Sequence, residues 1–375
     1  MIYKEYGKTG KKVSAVGFGG MRFDTEKSQE VNAELLLYAR EKGINFFDTA
    51  PEYCKDQSED IFGLALTQMQ TERDGIYVCT KGMPTAHDTA EKARTAVKKS
   101  LQRLKLDRID FYYVWCIRKM AHYELAMKPG GQYEGLLQCQ EEGLLDHIVL
   151  STHLPGEEIR GILQQDKVEG ILAGINILNF PYRWDGVQAA YDRGYGVAVM
   201  NPLAGGLIPR HEDKLGFLTE YGLTPTQTAL RFVIGCPQIT VALNGFTTKA
   251  HIGMACEIAD TIQPMEENEL DTLRKNLGKE MNSICTGCGY CMNDCPQHIP
   301  VAAYMQFYNE KALFGKSDEE MIKEIPNQHQ WQLLAARQAQ AADCSQCGQC
   351  EDACTQHLPI MRRLQEIAQW EAQSI

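Results

Sequence analysis

No stretch of this 375-residue chain holds the 18 or more consecutive apolar side chains that a bilayer crossing takes. Residues 1–20 contain no apolar core of signal-peptide length, so the chain reads as soluble and cytoplasmic. Positive charge is scarce: 38 lysines and arginines stand against 49 aspartates and glutamates, for a net charge of −11. Nucleic-acid binders usually carry a basic face, so this balance argues against them. A complete glycine-rich dinucleotide fingerprint is missing too. The nearest match, Gly17-Phe18-Gly19-Gly20-Met21-Arg22, lacks the last glycine, and no helix start follows it at once. At 44% hydrophobic and 23% charged residues, the composition excludes a disordered tail or a fibre. The length fits one large domain and a smaller one.

Cysteine, by contrast, is abundant, with 14 in all. Six are scattered: Cys54, Cys79, Cys116, Cys139, Cys236 and Cys256. The other eight form two matching runs near the C-terminal end, Cys285-x2-Cys288-x2-Cys291-x3-Cys295 and Cys344-x2-Cys347-x2-Cys350-x3-Cys354. A reducing cytosol disfavours disulfides. Zinc is the competing reading, although zinc sites usually pair C-x2-C hooks. Four sulfurs at these spacings match the bacterial ferredoxin run for a [4Fe–4S] cluster, and two runs give two clusters. In two-cluster ferredoxins the fourth cysteine of each run ligates the other cluster. That rule groups Cys285, Cys288, Cys291 and Cys354 at one cluster, and Cys344, Cys347, Cys350 and Cys295 at the second. The alternative keeps all four ligands local to each run, and the x3 spacing favours the exchange. The 48 residues between the runs (296–343) contain helical patterns at Ser317–Glu324 and His329–Ala341. Residues 282–375 hold eleven acidic and six basic side chains. Such a surface either steers a basic redox partner or is simply solvated.

The first 280 residues alternate short β runs with amphipathic helices. Strands are expected at Val13–Gly17, Asn45–Asp48, Gly75–Thr80, Ile109–Trp115, His147–Ser151, Gly170–Ile177, Gly196–Asn201 and Thr240–Gly245. Helices are expected at Ser28–Lys42, Ser58–Gln68, Thr89–Lys105, Tyr133–Glu142, Pro155–Gln165, Gly186–Arg193, Thr224–Ile234 and Thr248–Thr261. Ser58 with Glu59 and Asp60, and Thr224-Pro225, are capping signals. Eight βα units over about 250 residues is the arithmetic of a TIM barrel. A doubly wound sheet is the alternative, and the missing fingerprint counts against it. The expected architecture is α/β: a (β/α)8 TIM barrel over 1–265, then a linker helix and a small α-rich ferredoxin-like iron–sulfur domain over 266–375.

A TIM barrel places its chemistry at the C-terminal ends of its strands. Polar residues there include Asp48, Lys81, Trp115, Thr152, Asn176 and Asn201. Asp48, Tyr53 and Lys81 form a set capable of acid–base work. An ammonium stabilises a phenolate, and a carboxylate fixes the ammonium. Arg118 and Lys119 either face an anionic substrate or belong to a solvated loop. Cys54 has nothing evident to lower its pKa. Cys79 reads as core, and the amphipathic tail Ile360–Trp370 reads as packing on the cluster domain.

Asn45 to Tyr53 (NFFDTAPEY) with Ser58-Glu59 and Gly63, Val78 to Lys81, Val13 to Met21 and Val199 to Leu203 together resemble the aldo/keto reductase family over residues 1–265. With the cysteine runs, the whole chain resembles the bacterial members that carry a C-terminal ferredoxin-like domain. The resemblance implies a barrel that binds NADP(H) at its strand ends and reduces a small-molecule carbonyl. It implies Tyr53 as the acid, Lys81 lowering its pKa, and Asp48 holding Lys81. It implies Ser151 and Asn176 at the nicotinamide, with Gly20, Met21, Pro202, Leu203, Gly245, Lys249 and His251 also along the cofactor. The family's histidine, five residues past an aspartate, falls from Asp110 onto Trp115, or onto Cys116 if slid by one. An indole N–H donates but cannot relay a proton. Trp115 either stacks on a flat substrate or fills the barrel mouth. The family's Glu-Asn pair after the eighth strand is replaced by Met254-Ala255.

Nicotinamide moves two electrons as hydride, whereas a cluster takes one at a time, and joining them usually requires a flavin. Three readings stay open. The chain is a reductase with clusters in a supporting role. Or a flavin or substrate radical links the two, and electrons reach the substrate through the clusters. Or the chain is an electron-transfer subunit with little reductase activity.

Overall fold

An antiparallel hairpin of β1 (Tyr3–Glu5) and β2 (Lys12–Ser14) precedes eight parallel strands that close on themselves in chain order. These are β3 (Val16–Gly19), β4 (Phe46–Asp48), β5 (Tyr77–Gly82), β6 (Ile109–Ile117), β7 (Leu145–Thr152), β8 (Gly170–Gly174), β9 (Gly196–Met200) and β10 (Val241–Asn244), with β10 pairing β3 to complete the ring. The computed structural model describes residues 1–219, 222–280, 284–285, 290–293, 295–331, 334, 339–354 and 358–374.

Residues alternate across each strand, so one set fills the barrel and the other meets the helices. Phe46, Cys79, Phe111, Tyr113, Val149, Leu172, Ala198, Val241 and Leu243 form the inner cluster, which bears out Cys79 as core. Tyr6, at the end of β1, closes the floor of this cluster and is fully buried, with its ring 4.5 Å from Phe111 and 5.7 Å from Phe46. A Cβ on Gly196 would lie 2.1 Å from the Tyr6 ring, so only glycine leaves room for it there.

The expected strand Val13–Gly17 is a correction: it is two strands, broken at Ala15. Val13 faces the inner cluster with Tyr6, while Val16 belongs to the outer core. Both ends are apolar, so alternation could not separate them. The Ala15 amide bonds the Ile2 carbonyl at 2.9 Å, and the Ser14 amide bonds Asn45 Oδ1 at 2.7 Å, which fixes the turn. The run Gly170–Ile177 likewise ends as a strand at Gly174.

All eight expected helices form within two residues of their expected ends. Thr224 and Gln227 make a reciprocal capping box. Ser58 does not cap; its hydroxyl bonds the Gly20 carbonyl at 2.9 Å and Thr49 Oγ1 at 2.7 Å. Beyond the barrel, the helix Glu267–Glu280 places Leu270 and Leu273 in the barrel's outer core, not with the clusters. We propose that the barrel unit runs on through Ile284, past the expected 265/266 division.

The C-terminal part has its own core, made by the helices Val301–Phe314, Asp318–Gln330 and Ile360–Gln373. Ile360, Leu364, Ile367 and Trp370 of the tail are buried there with Cys291, Cys295 and Cys350. The pattern His329–Ala341 is a second correction. The helix beginning at Asp318 stops at Gln330, with Trp331 as its cap, and residues 341–343 form a short 3-10 turn. Residues 332–333 and 335–338 of that pattern lie outside the described residues. Among the described residues no helix is long and apolar enough to cross a membrane.

Candidate active site and cluster sites

Asp48 ends β4 and Lys81 lies near the end of β5, the adjacent strand. Lys81 Nζ donates to both Asp48 oxygens, at 2.5 and 2.6 Å, and Lys81 is only 1% exposed. Burial pushes the Asp48 carboxyl above its ordinary value, opposed by the Lys81 ammonium. The ammonium sits 5.4 Å from the Tyr53 ring centre and 5.0 Å from that of Tyr113. Burial, followed by the Asp48 charge, pushes the Tyr53 phenol well above its ordinary value of 10. The neutral phenol is therefore the resident form, as a proton donor requires.

Tyr53 is held by a contorted loop. Glu52, Cys54, Lys55 and Asp56 all have left-handed φ, at 69°, 54°, 56° and 62°. Such residues persist where their surroundings over-determine them. Arg103, at the end of the helix Ala90–Leu104, is the clamp: Nη1 donates to Asp56 Oδ1 at 2.6 Å, Nη2 to the Asp56 carbonyl, and Nη2 also to Asp60 at 2.8 Å. No sequence motif pointed to Arg103, which lies 47 positions from Asp56.

Trp115 meets Tyr53 edge to face, with ring centres 5.6 Å apart. A register shift between Val114 and Ile117 breaks the β6–β7 ladder, and Cys116 within it has φ 64°. Bulges of this kind re-aim a side chain. Here Trp115 takes the place beside Tyr53, and Cys116 turns its sulfur to Arg118, whose Nε donates to it at 3.0 Å. Two clefts flank Trp115. A larger one of about 580 Å³ is lined by Lys81, His87, Lys92 and Arg103 among others. A smaller one of about 220 Å³ is lined by Glu52, Met83, Cys116, Arg118 and, from the C-terminal part, Gln330 and Trp331.

The residues expected along a nicotinamide cofactor are spread round the same rim. The Ser151 hydroxyl, at the end of β7, is buried and has no hydrogen-bond partner among the described residues, which fits a ligand amide. Asn176 is already engaged: its Nδ2 donates to the Asn201 carbonyl at 3.2 Å, and its Oδ1 accepts from the Leu178 amide at 3.0 Å. After β9 the chain bends sharply, with Asn201, Ala204, Gly205 and Gly206 all at positive φ around Pro202 and Leu203. Gly20 offers its carbonyl to Ser58, whereas Met21 is 53% exposed. Thr248 caps the helix Lys249–Thr261, and the Lys249 ammonium lies 3.8 Å from Glu34. His251 Nδ1 lies 3.2 Å from Thr247 Oγ1. A Cβ on Gly245 would lie 2.5 Å from Arg22 Cγ, so Arg22 crosses that glycine closely, a basic neighbour the sequence did not single out.

In the C-terminal part, Cys295 of the first run and Cys344, Cys347 and Cys350 of the second line one small space, walled by Ile299, Val301, Met361 and Leu364. Burial first, and then like charge from Cys344, Glu351, Cys295 and Cys347, pushes the Cys350 thiol up to about 11. Four cysteine sulfurs round one space are the donor set that an iron–sulfur cluster takes, so the residues present fit that group. Cys285 and Cys354, one from each run, both pack against the core of this part. Cys291 is buried in the same core, and Cys288 lies outside the described residues. Cys295→Ala is expected to remove about four of about eight irons, sparing the cluster assigned to Cys285 and Cys354. Iron analysis with electron paramagnetic resonance of the reduced protein checks this, and loss of the Cys285 cluster's signal in place of the Cys344 cluster's would overturn the exchanged assignment.

Comparison with known proteins agrees with the fold. Residues 15–217 match the aldo/keto reductase family, and residues 284–358 match a 4Fe-4S dicluster domain. A probable voltage-gated potassium channel subunit beta of Arabidopsis thaliana is 34% identical over 120 residues, 30% of this chain and 37% of that protein. L-galactose dehydrogenase of the same plant is 37% identical over 212 residues, 54% of this chain and 65% of that protein. The chain thus spans less than two thirds of both these relatives. An aldo-keto reductase from Bacillus halodurans in its holo form superposes with TM-score 0.61 at 21% identity, over 74% of this chain and 96% of that one. Another, from Klebsiella pneumoniae in complex with NADPH, gives 0.59 at 20% identity, over 73% of this chain and 95% of that one. The chain belongs to the aldo/keto reductase family, with a 4Fe-4S dicluster domain over residues 284–358.

Proposed function

We propose that the protein reduces a small-molecule carbonyl compound with NADPH, using Tyr53 as the proton donor. The observation that carries this reading is the buried Asp48–Lys81 pair, with its ammonium 5.4 Å from the Tyr53 ring centre at the strand ends. When bound, reduced nicotinamide supplies a hydride to the carbonyl carbon. The Tyr53 hydroxyl gives its proton to the carbonyl oxygen, and the product is an alcohol. The Lys81 ammonium stabilises the phenolate left behind, and Asp48 holds the ammonium in place. Trp115 sets the face of the substrate and moves no proton. The partnerless Ser151 hydroxyl would take the carboxamide, and the capped end of the helix Lys249–Thr261, with Lys249, His251 and Arg22, would take phosphate.

A second reading has its own observation. Trp331, from the cluster-bearing part, contacts Arg118 beside the strand ends, so the two halves of the chain meet at the candidate site. In that reading the clusters deliver electrons to the substrate, with a flavin or substrate radical as converter.

An anaerobic NADPH titration of the cluster-loaded protein separates the two. Carbonyl reduction is expected with tight NADPH binding and unchanged visible cluster absorbance. Bleaching of that absorbance by NADPH alone would favour the relay. Absence of NADPH binding would overturn the carbonyl-reductase reading.

A further inference from the structure

Arg118 lies just past β6, and only 9% of it is exposed. Its Nε donates to Cys116 Sγ, its Nη1 donates to the Trp331 carbonyl, and its guanidinium lies 5.9 Å from the Trp331 ring centre. None of these partners is an anion, and among the described residues no carboxylate lies within ion-pair distance. The small cleft beside it has a single acidic lining residue, Glu52, which is exposed. The neighbouring imidazole supplies no counter-charge. His153 is kept neutral, its pKa lowered to about 3 by burial and then by Arg183 and Arg118. A buried guanidinium with no counter-charge is costly unless a ligand supplies one.

The rest of the cleft says what the ligand looks like. Trp115 and Trp331 are two of its lining residues, and aromatic faces of this kind take flat ligands. Trp115 is also the ring against which Tyr53 rests. A guanidinium fork is suited to the two oxygens of a carboxylate. We infer that the substrate is a planar carbonyl compound bearing a carboxylate, with the carboxylate on Arg118 and the ring between Trp115 and Trp331. The cluster-bearing part thereby completes the substrate site. This rests on the reading that the chemistry occurs at Tyr53.

The test is calorimetric binding of two unreactive probes, benzoate and benzyl alcohol, to the whole cluster-loaded protein. Benzoate is expected to bind roughly 10- to 100-fold more tightly, the weight of a charge-assisted contact. R118Q keeps a donor for the Trp331 carbonyl but removes the charge. It should lose that discrimination, while R118K regains part of it. Equal weakening of both probes in R118Q would mark Arg118 as a structural tie to Trp331 and overturn the inference. Should R118Q fail to fold, the wild-type comparison decides: equal binding of the two probes overturns the inference. Benzoate selectivity without any NADPH-dependent carbonyl reduction would leave the anion site standing and remove the reductase reading. Reduction of carbonyls without benzoate selectivity would do the reverse.

Discussion

Tyr53→Phe is expected to lower kcat for NADPH-dependent carbonyl reduction by roughly 10²- to 10⁴-fold, the usual weight of one positioned proton donor. The variant keeps the ring that packs against Trp115 and faces Lys81, so the fold and cofactor affinity should hold. Trp115 cannot substitute, because an indole N–H is not a proton relay. The pH profile is part of the same expectation. Burial and Asp48 hold the phenol well above 10, and the donor form is lost only as pH rises through that raised value. The tyrosine-dependent rate should therefore show no alkaline decline through neutral pH. Steady-state NADPH consumption across pH checks both points. Unchanged turnover in the phenylalanine variant would mean that the proton comes from elsewhere.

Lys81→Met should have the largest effect on stability. The pair is nearly inaccessible to water, and removing one partner of a buried ion pair leaves an uncompensated charge, at about 3–5 kcal/mol. Denaturant unfolding would measure it. Asp48 already sits above its ordinary 3.8 because of burial, and losing the ammonium raises it further. A carboxyl whose folded pKa exceeds its unfolded one binds more protons when folded. Stability from it is full below the unfolded value and is lost as pH rises through the folded one. The variant should thus regain stability as pH falls from neutral toward 4. The double variant Asp48→Asn, Lys81→Met should recover much of the loss at neutral pH, since neither charge remains. A variant as stable as wild type at all pH values would show that the pair is not load-sharing in the fold.

The barrel was legible because its signals are periodic and local. Most strands and all eight helices could be read from local pattern, and Thr224 was legible as a cap. The Asp48, Tyr53 and Lys81 set was legible through the family resemblance, and the two cysteine runs through spacing alone. The site's remaining supports depend on backbone angles or distant partners. The positive φ of Cys116 decides that Trp115, rather than its neighbour, meets Tyr53, and no composition rule announces it. Arg103 reaches a loop 47 residues away, and Arg118 reaches Trp331 across 213. The burial that raises the Tyr53 phenol could not be read from the motif. The break at Ala15 was hidden because both strands it separates are apolar for different reasons.

With Tyr6 seated in the floor, the barrel is a cup and not a tube. Traffic toward Tyr53 comes over the rim where β3 to β10 end, and Arg118 and Trp331 stand on that rim. If that anion site is used, the side chain that frames the doorway comes from the cluster-bearing part of the chain, 213 residues beyond Arg118.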